Sequence, residues 1–104
     1  MTHQATIRLN DSLILDLQKT VLIKRGKIIH LTPKEANLLA LLIRNAGQVV
    51  NRQDLMQEIW HSDNHADSRI LDVHICLLRR KVEVNPQVPE LILTRRGLGY
   101  ELRA

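Results

Sequence analysis

Residues 31–35, Leu-Thr-Pro-Lys-Glu, mark the sharpest change of pattern in the sequence. Before them, ATIRLNDSLILDLQKTVLIKRGKIIHL alternates apolar, often β-branched residues with polar ones, the period-two signature of half-buried strands. Its breaks at Asn10-Asp11-Ser12 and Arg25-Gly26 fit turns, so residues 5–31 read as an antiparallel sheet of about four short strands. At Thr32 the signal becomes helical. Thr32 can accept a hydrogen bond as N-cap, Pro33 suits the first helical position, where its missing N–H costs nothing, and Glu35 can reach back to complete a capping box. A small sheet followed by helices must pack the two against each other, an α+β arrangement.

The helices carry their own boundaries. ANLLALLIRNAG gives the first an apolar body, with Gly47 as its expected stop. After Val49-Val50, Asn51 caps a second helix, RQDLMQEIW, in which Asp54 favours the positive end of the helix dipole. Leu55 with Ile59 and Met56 with Trp60 pair one turn apart on it. HSDNHAD breaks the periodicity as a loop, and Ser68 opens a third helix, SRILDVHICLLRRKV. Leu71, Ile75, Leu78 and Val82 recur there at the spacing of a buried stripe. The opposite face presents Arg69, Val73, Cys76 and Arg80, with Leu77 on its edge. The three helices thus occupy residues 32–84, and residues 91–103 form a hairpin: Leu91 to Arg95 out, Arg96 to Gly99 turning, Tyr100 to Leu102 back. Both Gly97 and Gly99 are expected at the positive φ that such a turn requires.

With 104 residues, 44% hydrophobic and 25% charged, the chain suits one soluble domain spanning 1–104, its core built from Leu, Ile and Val because there is one Trp, one Tyr and no Phe. The lone Cys76 excludes an intrachain disulfide and a thiolate metal cluster, which fits a reducing cytoplasm. The N-terminal segment has no signal-peptide run, and no window reaches the roughly 18 apolar residues of a membrane span. A formal charge of +4 makes a polyanionic partner plausible without demanding one. No serine, histidine and carboxylate combination suggests a catalytic triad, and GLG is too short to cradle phosphate, so we read neither an enzyme nor a cofactor site. His61, Asp63, His65 and Asp67 fall in a loop without a ligand pattern, so no metal is expected.

Two helices, a third with a basic outer face and a glycine-tipped hairpin bearing Arg95 and Arg96 make the order of a winged helix. Such a fold can set one helix in the major groove of DNA and an arginine in the minor groove nearby. The successive motifs LTPKEANLLALL, GQVVNRQDLMQEIW, DSRILDVHICLLRRKV and LTRRGLGYEL resemble those of the OmpR/PhoB-type DNA-binding domain of bacterial response regulators, from about residue 5 to residue 103. The resemblance implies a winged helix-turn-helix with an N-terminal four-stranded antiparallel sheet, three helices and a C-terminal β-hairpin wing. It implies sequence-specific binding of promoter DNA for transcription regulation within a two-component phosphorelay. Tandem copies would bind direct repeats, and the isolated domain would be a monomer. The receiver domain that usually precedes such a domain is not found in this chain.

Position by position, the resemblance assigns Trp60, Arg69, His74, Arg79 and Thr94 to phosphate and Val73, Cys76, Leu77, Arg80, Arg95 and Arg96 to bases or grooves. The loop His61, Ser62, Asp63, Asn64, His65, Ala66 and Asp67 matches the segment that can contact RNA polymerase. The chain departs from the family at Cys76 and Leu77, where Arg, Lys or Ser is common. Val73, Cys76 and Leu77 are therefore expected to read thymine methyl groups, with Arg80 and the wing supplying charge. Ala36 stands where Phe is usual, His61 where Gly is frequent and Arg95 where an apolar residue is common. A different use of the same face is a protein-interaction module, with Val73, Cys76 and Leu77 as an apolar docking patch.

Overall fold

The turns expected at Asn10 and Arg25-Gly26 organise the N-terminal sheet in the computed structural model, which describes residues 6–61 and 67–103. Asn10 Oδ1 accepts the N–H groups of Ser12 and Leu13 at 2.7 and 2.9 Å, turning β1 (Thr6–Asn10) into β2 (Leu13–Asp16). Between β3 (Val21–Lys24) and β4 (Lys27–His30), Arg25 and Gly26 have φ of +51° and +80°, the pair of positive angles that a type I′ hairpin uses. The strands lie in the order β1-β2-β3-β4, each antiparallel to the next. Leu13, Leu15 and Leu22 carry this sheet into the core.

Helix α1 (Pro33–Arg44) starts as the sequence predicts: Thr32 Oγ1 accepts the Glu35 N–H at 3.1 Å and Glu35 Oε1 accepts the Thr32 N–H at 2.8 Å. Its end differs. Asn45 is the C-cap, donating from Nδ2 to the Leu41 carbonyl at 2.9 Å, and Gly47 lies further on at φ +85°. Gly47 turns the chain toward the C-terminal strands, where its N–H donates to the Leu102 carbonyl at 2.8 Å. The following residues are not a linker: Val49–Asn51 form β5, antiparallel to β7 (Gly99–Leu102), in a three-stranded sheet ordered β5-β7-β6 with β6 at Ile92–Arg95. Three residues between two helix signals are too short to show alternation, so only the distant partner strand reveals them.

Helix α2 (Arg52–Trp60) begins at Asn51, whose Oδ1 accepts the Asp54 N–H at 2.8 Å. Helix α3 (Arg69–Val82) begins after Ser68, but Asp67 supplies the capping bond, to the Arg69 N–H at 2.9 Å. Leu71, Ile75, Leu78 and Val82 are all buried, joining Leu38, Leu42 and Leu55 from α1 and α2 and Ile92 and Leu102 from the hairpin. The void lined by Leu15, Leu22, Leu39 and Leu102 is only about 10 Å³, barely the space of one water, so the Phe-free core closes.

Among the described residues two carboxylates are buried, and each is hydrogen-bonded. Glu35 meets the Lys81 ammonium at 2.7 Å, which takes Lys81 off the basic outer face of α3. Glu83 accepts the N–H groups of Glu90, Leu91 and Ile92 at 2.8–3.1 Å, pinning the connector where β6 begins.

The hairpin glycines have separate tasks. Gly97 has φ +76° and open space around it, whereas Gly99 sits within β7 without a positive φ. A Cβ at Gly99 would overlap the Val50 carbonyl oxygen and come within 2.8 Å of the Asn51 Cα. Gly99→Ala must therefore push β5 off β7 and should cost about 2–3 kcal/mol, while Gly97→Ala bears only the left-handed penalty of about 1 kcal/mol. Paired denaturant melts of the two variants check the order.

Candidate nucleic-acid interface

Arg69, Val73, Cys76 and Arg80 are exposed on the outer face of α3, and Leu77 is half-buried at its edge. Val73 is 55% exposed and its neighbour Ile70 40%, so the middle of this face is apolar surface in water. Arg80 makes no ion pair among the described residues and lines, with Cys76, Arg79, Asn85 and Gln87, an open groove of about 370 Å³. Arg69 is less available: its Nη2 lies 2.7 Å from Asp67 Oδ2, and this hydrogen-bonded guanidinium pulls the Asp67 carboxyl down to about 2. His74 Nδ1 lies 2.9 Å from the Ile70 carbonyl; a carbonyl can only accept, so Nδ1 carries the proton in this contact. The His74 ring meets Trp60 edge-on at 4.9 Å between centroids, and the Lys34 ammonium lies 5.9 Å from the indole centroid.

The wing is fastened to α3. Arg79 donates from Nη2 to Thr94 Oγ1 and to the Ile92 carbonyl, both at 2.8 Å, and its guanidinium lies 5.7 Å over the Tyr100 ring. Arg95 donates from Nε to Glu101 at 2.8 Å, so its charge is answered within the hairpin. Arg96 is exposed at the turn and unpaired among the described residues. Leu98 does not anchor the wing by its side chain, which is 61% exposed; its backbone does so, accepting the Arg52 N–H at 3.1 Å.

A polar network that no motif announced lies beneath these groups. Asp72 Oδ1 accepts from Arg52 Nη1 at 2.7 Å and from the Tyr100 hydroxyl at 2.6 Å, while Oδ2 accepts from Arg52 Nη2 at 3.1 Å. The same Nη2 reaches the carbonyl and hydroxyl of Ser68, each at 3.1 Å. Arg52, at the first turn of α2, looks like an ordinary surface residue in sequence. Asp72 is the one acid in Arg69–Val82, and nothing local in the sequence names its partner.

Residues 26–102 match the family model for the C-terminal domain of transcriptional regulatory proteins. The probable transcriptional regulator ycf27 of Guillardia theta is 47% identical over 90 residues, 85% of this chain and 35% of that protein. The chain belongs to the OmpR/PhoB-type family of transcriptional-regulator C-terminal domains. Among solved structures, the DNA-binding domain of Klebsiella pneumoniae RstA in complex with the RstA box superposes with a TM-score of 0.84 at 29% identity, covering 97% of this chain and 98% of that one. The response regulator DrrB of Thermotoga maritima, an OmpR/PhoB homologue, gives 0.84 at 31% identity, covering 96% of this chain and 45% of that one. This chain spans about a third of the curated relative's length.

Within the OmpR/PhoB-type winged helix, the departures read in the sequence find physical form. His61, where Gly is frequent, caps α2 at φ +51°, a left-handed angle that disfavours a side chain. Of the loop expected to face polymerase, His61 and Asp67 are described; Ser62, Asp63, Asn64, His65 and Ala66 lie outside the described residues. Ala36 is buried in the core beside Leu39 and Ala40.

The network also sets an acid limit. Hydrogen bonds from Arg52 hold the Asp72 carboxyl below its ordinary 3.8 against the opposing effect of burial. For Glu35 burial pushes upward, but Lys81 and the Thr32 cap outweigh it and hold the group below 4.5. Both groups bind protons more weakly when folded, so their stabilisation is present above the ordinary carboxylate range and is lost as pH falls below it. Thermal melts should therefore show Tm falling as pH drops below about 4, with less of that fall in Asp72→Asn.

Proposed function

We propose that this chain is the sequence-specific, duplex-DNA-binding effector domain of a response regulator. The observation that carries the reading is the pairing of two exposed readers on elements clamped together: the Val73, Cys76 and Arg80 face of α3, and Arg96 on a hairpin bonded to α3 through Arg79 and Thr94 at 2.8 Å. Helix α3 fills the major groove, which admits one helix, and the wing enters the neighbouring minor groove. The similar RstA domain supports the reading, since it was solved in complex with its DNA, the RstA box.

The roles follow from what each side chain presents. Val73, Cys76 and the edge of Leu77 offer apolar contact to thymine methyl groups, and Arg80 adds the nearby positive charge. Arg96 reaches the minor groove, with Arg95, held by Glu101, adding to the local field. Trp60, Arg69, His74, Arg79 and Thr94 serve the phosphates. Arg69 does so by leaving or sharing Asp67, and His74 donates through Nε2 only as an imidazolium. Tandem copies occupy direct repeats in promoter DNA, the isolated domain is a monomer, and the loop from His61 to Asp67 meets RNA polymerase. In the full regulator a receiver domain supplies the phosphorelay input.

The contiguous exposure of Ile70 and Val73 also favours a second reading, a protein-docking patch. Salt separates them. Selection from random duplexes should return sites with thymines under α3, and affinity for them should fall with a log–log salt slope of about −0.9 per neutralised phosphate. Arg96→Ala should weaken binding and relax preference on the wing side, whereas Arg69→Ala should weaken all sequences similarly and flatten that slope by about one phosphate. Salt-insensitive association would favour the docking patch, and a G-rich core with no contacted thymine would refute the methyl readout.

A further inference from the structure

We infer that Asp72, with Arg52 and Tyr100, is a positioning device that fixes the wing at one offset from α3, so the domain measures the spacing of two DNA grooves. The inference rests on the DNA-binding reading above and assigns these three residues a part in it without contact to DNA.

Beyond the ladder that pairs β7 with β5, the wing is tied to α2 and α3 at three points. At its tip, the Leu98 carbonyl accepts the Arg52 N–H at 3.1 Å. On its return strand, the Tyr100 hydroxyl donates to Asp72 at 2.6 Å. On its outgoing strand, Thr94 and the Ile92 carbonyl take the Arg79 guanidinium at 2.8 Å. Arg52 appears in two of these constraints, because its side chain grips Asp72 at 2.7 Å and Ser68 at 3.1 Å, at the start of α3, while its main chain grips the wing tip. One residue therefore ties tip and helix together. Tyr100 is held on two sides, its hydroxyl by Asp72 and its ring under Arg79.

Apolar packing between hairpin and helix is non-directional, and the β5–β7 ladder joins the wing to the strand that leads into α2, not to α3. A carboxylate shared by a two-pronged guanidinium and a phenol fixes direction as well as contact. None of the three side chains belongs to the exposed reading surface: Tyr100 is buried, and Arg52 and Asp72 are half-buried. Groove width and the path between grooves vary with DNA sequence, so a fixed helix-to-wing offset converts that variation into affinity.

Tyr100→Phe removes one hydroxyl and leaves the ring under Arg79; Asp72→Asn keeps the shape and weakens both bonds. Each variant is compared with the unaltered chain on three duplexes: a selected site, the same site with its wing-side A·T tract moved by one base pair, and random sequence. Circular dichroism reports the folded fraction. Tyr100→Phe should stay folded, bind random duplex within about twofold of the unaltered chain, lose about tenfold on the selected site and discriminate little against the shifted tract. Its salt slope should not change, because no phosphate contact is removed. Asp72→Asn should move the same readouts further in the same direction. Retained discrimination in folded Tyr100→Phe overturns the proposal, as does a parallel loss on all three duplexes that tracks unfolding. If the unaltered chain binds no duplex, the DNA reading fails first and this inference with it.

Discussion

The carboxylate of Asp72 is where the two halves of the binding surface meet. It sits in the first turn of α3 and accepts from Arg52 on α2 and Tyr100 on β7. Partly burying a carboxylate and a guanidinium costs hydration, and the cost is offset only where geometry and additional hydrogen bonds are good. Here both conditions hold: the contact is two-pronged, and Ser68 and Tyr100 take up remaining valences. The placement of the wing against α3 draws on this node, on Arg79 and on the β5–β7 ladder.

Charge in this domain is divided between inside and outside more sharply than its total suggests. Of the consecutive Arg79, Arg80 and Lys81, Lys81 turns in to the buried Glu35, Arg79 holds the wing, and Arg80 alone is left to solvent. Glu83, two residues past Lys81, turns in to collect three backbone N–H groups. A run that reads as a basic patch is thus mostly a set of struts. The outward face that remains is weakly charged and apolar at its centre, which suits contact with thymine methyl groups better than bidentate reading of guanine.

The sequence made plain what local physics decides. The Thr32-Pro33-Glu35 cap, the buried stripe of α3 and the hairpin turns all rest on neighbours a few residues apart, and all appear where expected. What escaped depends on distant partners. Val49–Asn51 is a strand because Gly99–Leu102 lies beside it, and Gly99 is a glycine because Val50 crosses there, not because the turn needs a positive φ. The residues proposed to face DNA come from the resemblance, and Val73, Cys76 and Arg80 share one exposed face of α3. Arg52 and Asp72 were not legible: an arginine and an aspartate twenty residues apart meet only after α2 and α3 have packed.

If α3 and the wing form one reader, both must engage a duplex together. Titrating a selected duplex into isotopically labelled protein, and following backbone amides by NMR, tests it directly. Amides of Val73, Cys76 and Arg80 and those of Arg96 and Gly97 should shift along one common saturation curve, while β1 to β4 stay unmoved. Saturation of α3 with the wing amides unshifted, or perturbation confined to the N-terminal sheet, would contradict it.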